Sequence, residues 1–153
     1  MEAAASAIGN SVLGSFVREA TWAYPLANLV HLLGMILLIG GIGLLDLRIV
    51  GAFRTLPLML LSRALVPVGL TGLMLMLLSG PLLFAADAVA LSRSSIFAWK
   101  LGLIALALSN AAIFRLCWDG RTEEPPVRLR IMAGLSLAFW LGAASLGRLI
   151  AYF

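Results

Sequence analysis

Polar chemistry is what this sequence has least of. Only 12% of its residues are charged, against 62% hydrophobic, and the mean hydropathy is +1.06. Soluble domains run about 45–50% apolar and about 25% charged, so this excess exceeds what one core can bury and must face lipid. One cysteine, Cys117, excludes an intrachain disulfide. One histidine, His31, together with that cysteine is too few for a zinc site, which takes three or four such ligands. A bis-histidine haem within one chain is excluded on the same ground. Every Asp and Glu falls at or near a span boundary, which leaves no carboxylate cluster for a di-iron centre. No P-loop, dinucleotide fingerprint or nucleophile elbow occurs. The net charge of +4 is scattered among loops with no basic stripe, so nucleic acid is not the expected partner. A basic n-region is missing before Ser15, so no cleavable leader is expected and the first span serves as insertion signal.

What is present is a set of long apolar runs. A spanning helix needs about 20 mostly apolar residues, and the chain has room for about four. The expected spans are 22–45, 64–84, 96–118 and 129–151, the second beginning as early as Leu56. Trp22 and Tyr24 open the first as interfacial anchors, and Pro67 is a candidate kink in the second. Residues 3–19 repeat Ile8, Val12 and Phe16 at helical spacing, with polar residues on other faces, and predict an amphipathic helix lying in the interface. Asp87 and Arg93 are expected in a short loop, and Asp119 to Pro126 form a longer polar one. The fold class is therefore all-α: a single-domain, integral membrane four-helix bundle with a short N-terminal interfacial helix. Small residues four apart on the last span, Ala138 with Gly142 and Ala143 with Gly147, suit close packing and leave a homo-oligomer open.

Orientation follows from the basic residues. Arg48, Arg54, Arg63, Arg115, Arg121, Arg128 and Arg130 fall on one side, and Arg18, Arg93, Lys100 and Arg148 on the other. Seven against four places both termini outside and the richer loops in the cytoplasm of a bacterial inner membrane.

Three polar residues inside the spans ask for a reason, since a charge there costs about 2.5–3.5 kcal/mol on insertion scales. They are His31, Lys100 and Arg148, all in the same leaflet. His31 follows Trp22 by nine residues, roughly 13 Å in from that end. Tyr24, Asn28, His31 and Met35 share a helix face, as do Ser145, Arg148 and Tyr152, and the second span can add Ser79. Inward-pointing faces would build one polar pocket open to the exterior. Each residue also has a plain structural role: an imidazole bonds a neighbouring helix, and long basic chains snorkel to headgroups. An imidazole beside two cations suits haem b, with His31 on iron and Lys100 and Arg148 on the propionates; an anionic or quinone-like ligand suits it too. A sixth ligand would be open, water, or one of Met35, Met74 and Met76. Asn110 is expected to bond a neighbouring helix, and Asp46, Arg48 and Arg63 to form a structural ion-pair group at the cytoplasmic side.

The run Tyr24-Pro25-x-x-Asn28-x-x-His31-Leu32-x-Gly34, then Asp46-Leu47-Arg48, Phe97-x-x-Lys100-Leu101, Asn110 and Gly147-Arg148, is similar to a family of small uncharacterised bacterial four-span proteins over nearly the whole chain. More distantly it resembles copper-resistance D-type membrane proteins and the J-type protoporphyrinogen oxidases. The latter resemblance implies haem b, with His31 as ligand and Lys100 as partner; Leu29 and Val30 stand where the J-type pattern has a lysine before the histidine. Two functions follow as expectations. One is an inner-membrane redox protein holding haem b or a quinone-like ligand near the outer face and meeting a membrane or periplasmic redox partner. The other is a non-enzymatic subunit or assembly factor whose polar face binds another membrane protein. A transporter is disfavoured because the spans carry no buried carboxylate and no repeat symmetry.

Overall fold

The computed structural model describes residues 2–118, 122–150 and 152. Most of these are helical, with no strand among them. The first span is α3 (Ala23–Leu38), a π-helical turn (Ile39–Gly43) and α4 (Leu44–Val50) in one continuous run. The second is α5 (Leu58–Ala86), the third α7 (Ser95–Cys117) and the fourth α8 (Val127–Leu149). All four are long and apolar enough to cross a bilayer, and the chain is a multi-pass membrane protein. The first span runs five residues beyond its expected end, to Val50, because Gly51 and not the charged Asp46 or Arg48 terminates it, and the second runs two beyond, through Gly80-Pro81 to Ala86, where Asp87 ends it. Gly51 takes φ +130°, a conformation open to glycine, and lets the chain leave the helix.

At the start, the expected single amphipathic helix is two. Helix α1 (Glu2–Gly9) stops at Asn10, and Ser11 caps α2 (Val12–Glu19) by accepting from Gly14 N at 3.2 Å. Serine competes for local backbone bonds in this way and ends helices where apolar periodicity alone would continue them. Helix α2 leans on α5, and the Arg18 guanidinium donates to the Ala86 carbonyl at 3.3 Å, capping the end of the second span. The loop expected around Asp87 and Arg93 contains a short helix, α6 (Ala88–Arg93), against which α1 packs. The polar loop before the fourth span lies outside the described residues at 119–121.

The spans pair as two hairpins, α3 along α5 and α7 along α8. The first hairpin is seamed by glycine. A Cβ on Gly72 would stand 2.5 Å from the Gly34 carbonyl oxygen, and one on Gly41 would stand 2.8 Å from the Gly69 nitrogen. Backbones this close leave room for hydrogen only, the small-residue packing that replaces hydrophobic driving force in lipid. This tightest contact joins the first and second spans, whereas the last span's Gly142 faces Leu103 of α7.

The hairpins join mainly through α4 and the π-helical turn against α8. A cluster of Leu45, Ile49, Leu58, Trp118, Leu129 and Ala133 fills the end away from the termini, and Leu38, Ala107 and Trp140 pack the middle. Helix α5 begins at Pro57 with no side-chain cap of its own. Glu123, from the loop before α8, supplies one: its carboxylate accepts from Leu58 N at 2.7 Å and Met59 N at 3.3 Å. A carboxylate there satisfies orphan amides and meets the positive end of the helix dipole. Asn110 donates from Nδ2 to the Met132 carbonyl at 3.0 Å, the cross-helix bond expected of it.

Two outcomes test this packing. Gly72→Ala lowers resistance to detergent unfolding by about 1–3 kcal/mol through overpacking, while Gly102→Ala, with nothing within 4 Å, leaves it unchanged or slightly raised. Glu123→Ala costs about 0.5–2 kcal/mol, the range for a lost cap, in the same unfolding assay.

Candidate functional site

At the end of the bundle that carries the termini, two polar side chains face each other across the first hairpin. His31 lies eight residues into α3 and Ser79 seven residues before the end of α5, each roughly 10–12 Å from its helix end. His31 Nδ1 and Ser79 Oγ share a hydrogen bond of 2.9 Å. The Ser79 hydroxyl also donates to the Leu75 carbonyl of its own helix, at 2.6 Å. Ser79 is 1% exposed and His31 half-buried. The glycine next to Ser79 makes space for the ring: a Cβ on Gly80 would stand 3.6 Å from His31 Cε1.

Lys100 comes from the other hairpin. It is half-buried on α7, and its stem crosses the fourth span at Gly147, where a Cβ would stand 3.1 Å from Nζ and 3.3 Å from Cε. Lys100 lies five residues into α7 and His31 eight into α3, both counted from this end of the bundle. One imidazole and one amine from different hairpins therefore lie toward the same end of the bundle.

The other expected site residues are placed differently. Arg148 is exposed; its guanidinium donates to the Tyr152 hydroxyl at 2.8 Å and lies 5.2 Å from that ring's centre. The i, i+4 spacing that put Arg148 and Tyr152 on one face also makes them partners. Tyr24 and Asn28 are exposed on α3. The described residues enclose a cleft of about 240 Å³ at this end, but it lies among α2, α3 and α5 and is apolar. Leu13, Phe16, Trp22, Ala27 and Leu78 line it, and Ser79 is its polar wall residue. The methionines named for a sixth ligand also separate: Met76 packs on Gly34 and the middle cluster, and Met74 is exposed.

Two expectations at the opposite end are corrected. Asp46, Arg48 and Arg63 form no ion-pair group among the described residues. Arg48 is buried and donates from Nε to the Leu56 carbonyl at 2.7 Å, and Arg63 is exposed. Asp46 is itself a buried carboxylate, 6% exposed, with Ser136 of α8 beside it and Oδ2 without a hydrogen-bond partner. The first span continues past Asp46 to Val50, so the chain does carry a carboxylate inside a span, and that ground for setting a transporter aside falls.

Chemically, the histidine end can donate one electron pair and place one positive charge. No group of three or more His, Cys, Asp or Glu that could hold a metal ion occurs among the described residues. Ser79 and Gly147 were the least legible members. Ser79 could be suggested from depth, and Gly147 from its place beside Arg148, but its role as a seat for Lys100 needs the fourth span's position.

Lys100 is the chain's one lysine, so amine acylation reads it directly beside the N-terminus. Acylation in micelles is slow at Lys100 in the native chain, and Gly147→Val, by displacing the stem, raises the rate several-fold in a mass-spectrometric time course.

Compared with known protein families, with curated proteins and with solved structures, the chain has no match.

Proposed function

We propose that this is a redox protein of the bacterial inner membrane, holding haem b or a quinone-like ligand at His31 near the outer face, with both termini outside. The observation that carries the reading is His31 bonded to Ser79 inside the first hairpin, with Lys100 seated on Gly147 of the second hairpin toward the same end of the bundle. His31 and Lys100 each cost free energy in lipid, and a shared ligand offsets both costs at once.

The donor set fits haem better than any bare metal. The porphyrin brings four nitrogen ligands, so one imidazole suffices where a zinc or di-iron centre would need several protein ligands. His31 would hold the iron and Lys100 one propionate; Arg148, engaged with Tyr152, stays at the rim. Bound haem supplies one-electron exchange between ferric and ferrous iron. The chain contributes the ligand, its orientation through Ser79, the charge of Lys100 and exclusion of water by the packed middle of the bundle. A membrane or periplasmic protein would be the electron partner.

A second reading, a non-enzymatic subunit or assembly factor, draws on α7. Among its residues only Ala107 is buried, and Trp99 is 72% exposed, a face wide enough for another membrane protein.

A reduced-minus-oxidised visible spectrum separates the two. Purified after expression with ample haem, the native protein shows Soret and alpha bands that His31→Ala abolishes. A flat spectrum from folded protein, with a stable partner co-purifying irrespective of His31→Ala, overturns the redox reading in favour of the subunit.

A further inference from the structure

The hydrogen bonds around His31 also fix which of its nitrogens is available. A serine hydroxyl carries one proton, and Ser79 places it on the Leu75 carbonyl, in the shorter of its two bonds at 2.6 Å. What Ser79 Oγ offers the imidazole is then a lone pair. For the 2.9 Å contact between His31 Nδ1 and Ser79 Oγ to be a hydrogen bond, its proton must then come from Nδ1, donating to Ser79. A neutral imidazole protonated at Nδ1 has its free electron pair on Nε2. Ser79 is 1% exposed, so water does not compete for this bond.

We infer that Ser79 is a positioning residue that holds His31 in the Nδ1-protonated tautomer, and that of the two ligands the redox reading allows, haem, whose iron would take the Nε2 electron pair, suits His31 and a quinone carbonyl does not. A quinone carbonyl presents lone pairs of its own and meets no donor at Nε2. The inference rests on the redox reading above and selects between the two ligands it allows. The relay from a backbone carbonyl through Ser79 to the imidazole is the outer-shell support that metal-bound histidines use to fix ring orientation and raise basicity.

His31 is the single histidine of the chain, so nitrogen-15 histidine labelling of the full protein in micelles yields one imidazole and needs no assignment. At a pH where the ring is neutral, the native protein shows Nδ1 protonated and Nε2 unprotonated. Ser79→Ala loses that preference and Ser79→Thr, which keeps the hydroxyl, restores it. Zinc protoporphyrin, a diamagnetic probe, shifts the Nε2 resonance, and Ser79→Ala weakens its binding about 10-fold or more. Decyl-benzoquinone leaves Nε2 unmoved. A native protein protonated at Nε2, or a Ser79→Ala variant with an unchanged tautomer, overturns the role of Ser79. A correct tautomer with no porphyrin binding overturns the haem reading while leaving Ser79 as assigned. An Nε2 resonance moved by the quinone and not by the porphyrin overturns the ligand class.

Discussion

The close approach of the first two spans is the contact on which the rest depends. Gly34 and Gly72 bring the backbones of α3 and α5 so near that neither position tolerates a side chain. His31 lies one turn from Gly34 and Ser79 two turns from Gly72, each on the same face as its glycine. A hydrogen bond of 2.9 Å between two such short reaches exists only because the seam beneath it is tight. In lipid there is no hydrophobic force between helices to draw them together, so van der Waals contact between bare backbones and a polar bond do that work.

The two ends of the bundle are finished differently. Away from the termini, a hydrophobic cluster joins all four spans, Glu123 caps the second, and Arg48 ties down the loop at Leu56. At the end with the termini, small and polar residues replace that cluster. Gly80 and Gly147 leave room for the His31 ring and the Lys100 stem, and the amphipathic helix α2 closes an apolar cleft that reaches Ser79. One end is filled by large apolar side chains, and the other leaves space beside polar ones. The π-helical turn Ile39–Gly43 sits between them, beside Gly69, two residues past Pro67. Pro67 lacks the amide that would close its helical turn, and π turns recur near functional sites.

The spans were legible because length and hydropathy are local properties. The candidate ligand stood out because a lone histidine in a run such as Leu29 to Leu38 has no local reason to be there. Asn110 was legible for the same reason. The break between α1 and α2 was within reach of the sequence, since Gly9-Asn10-Ser11 is a helix stop followed by a cap; the apolar periodicity through Val12 and Phe16 outweighed it. The glycine seam was harder. The chain has 15 glycines, and the pattern on the last span looked at least as suitable as the one that packs.

By itself the sequence determined the membrane class, the four apolar helices and the few residues able to do chemistry, because each follows from composition or from short-range spacing. Only the tertiary structure decided which of those residues meet. It set Ser79 against His31, laid Lys100 over Gly147, turned Arg148 to Tyr152, buried Asp46 and brought Glu123 to the second span. The physical reason is rotation and depth. An apolar helix carries almost no signal of which face turns inward, and a change of a few residues in register moves a polar side chain from a ligand to a lipid headgroup.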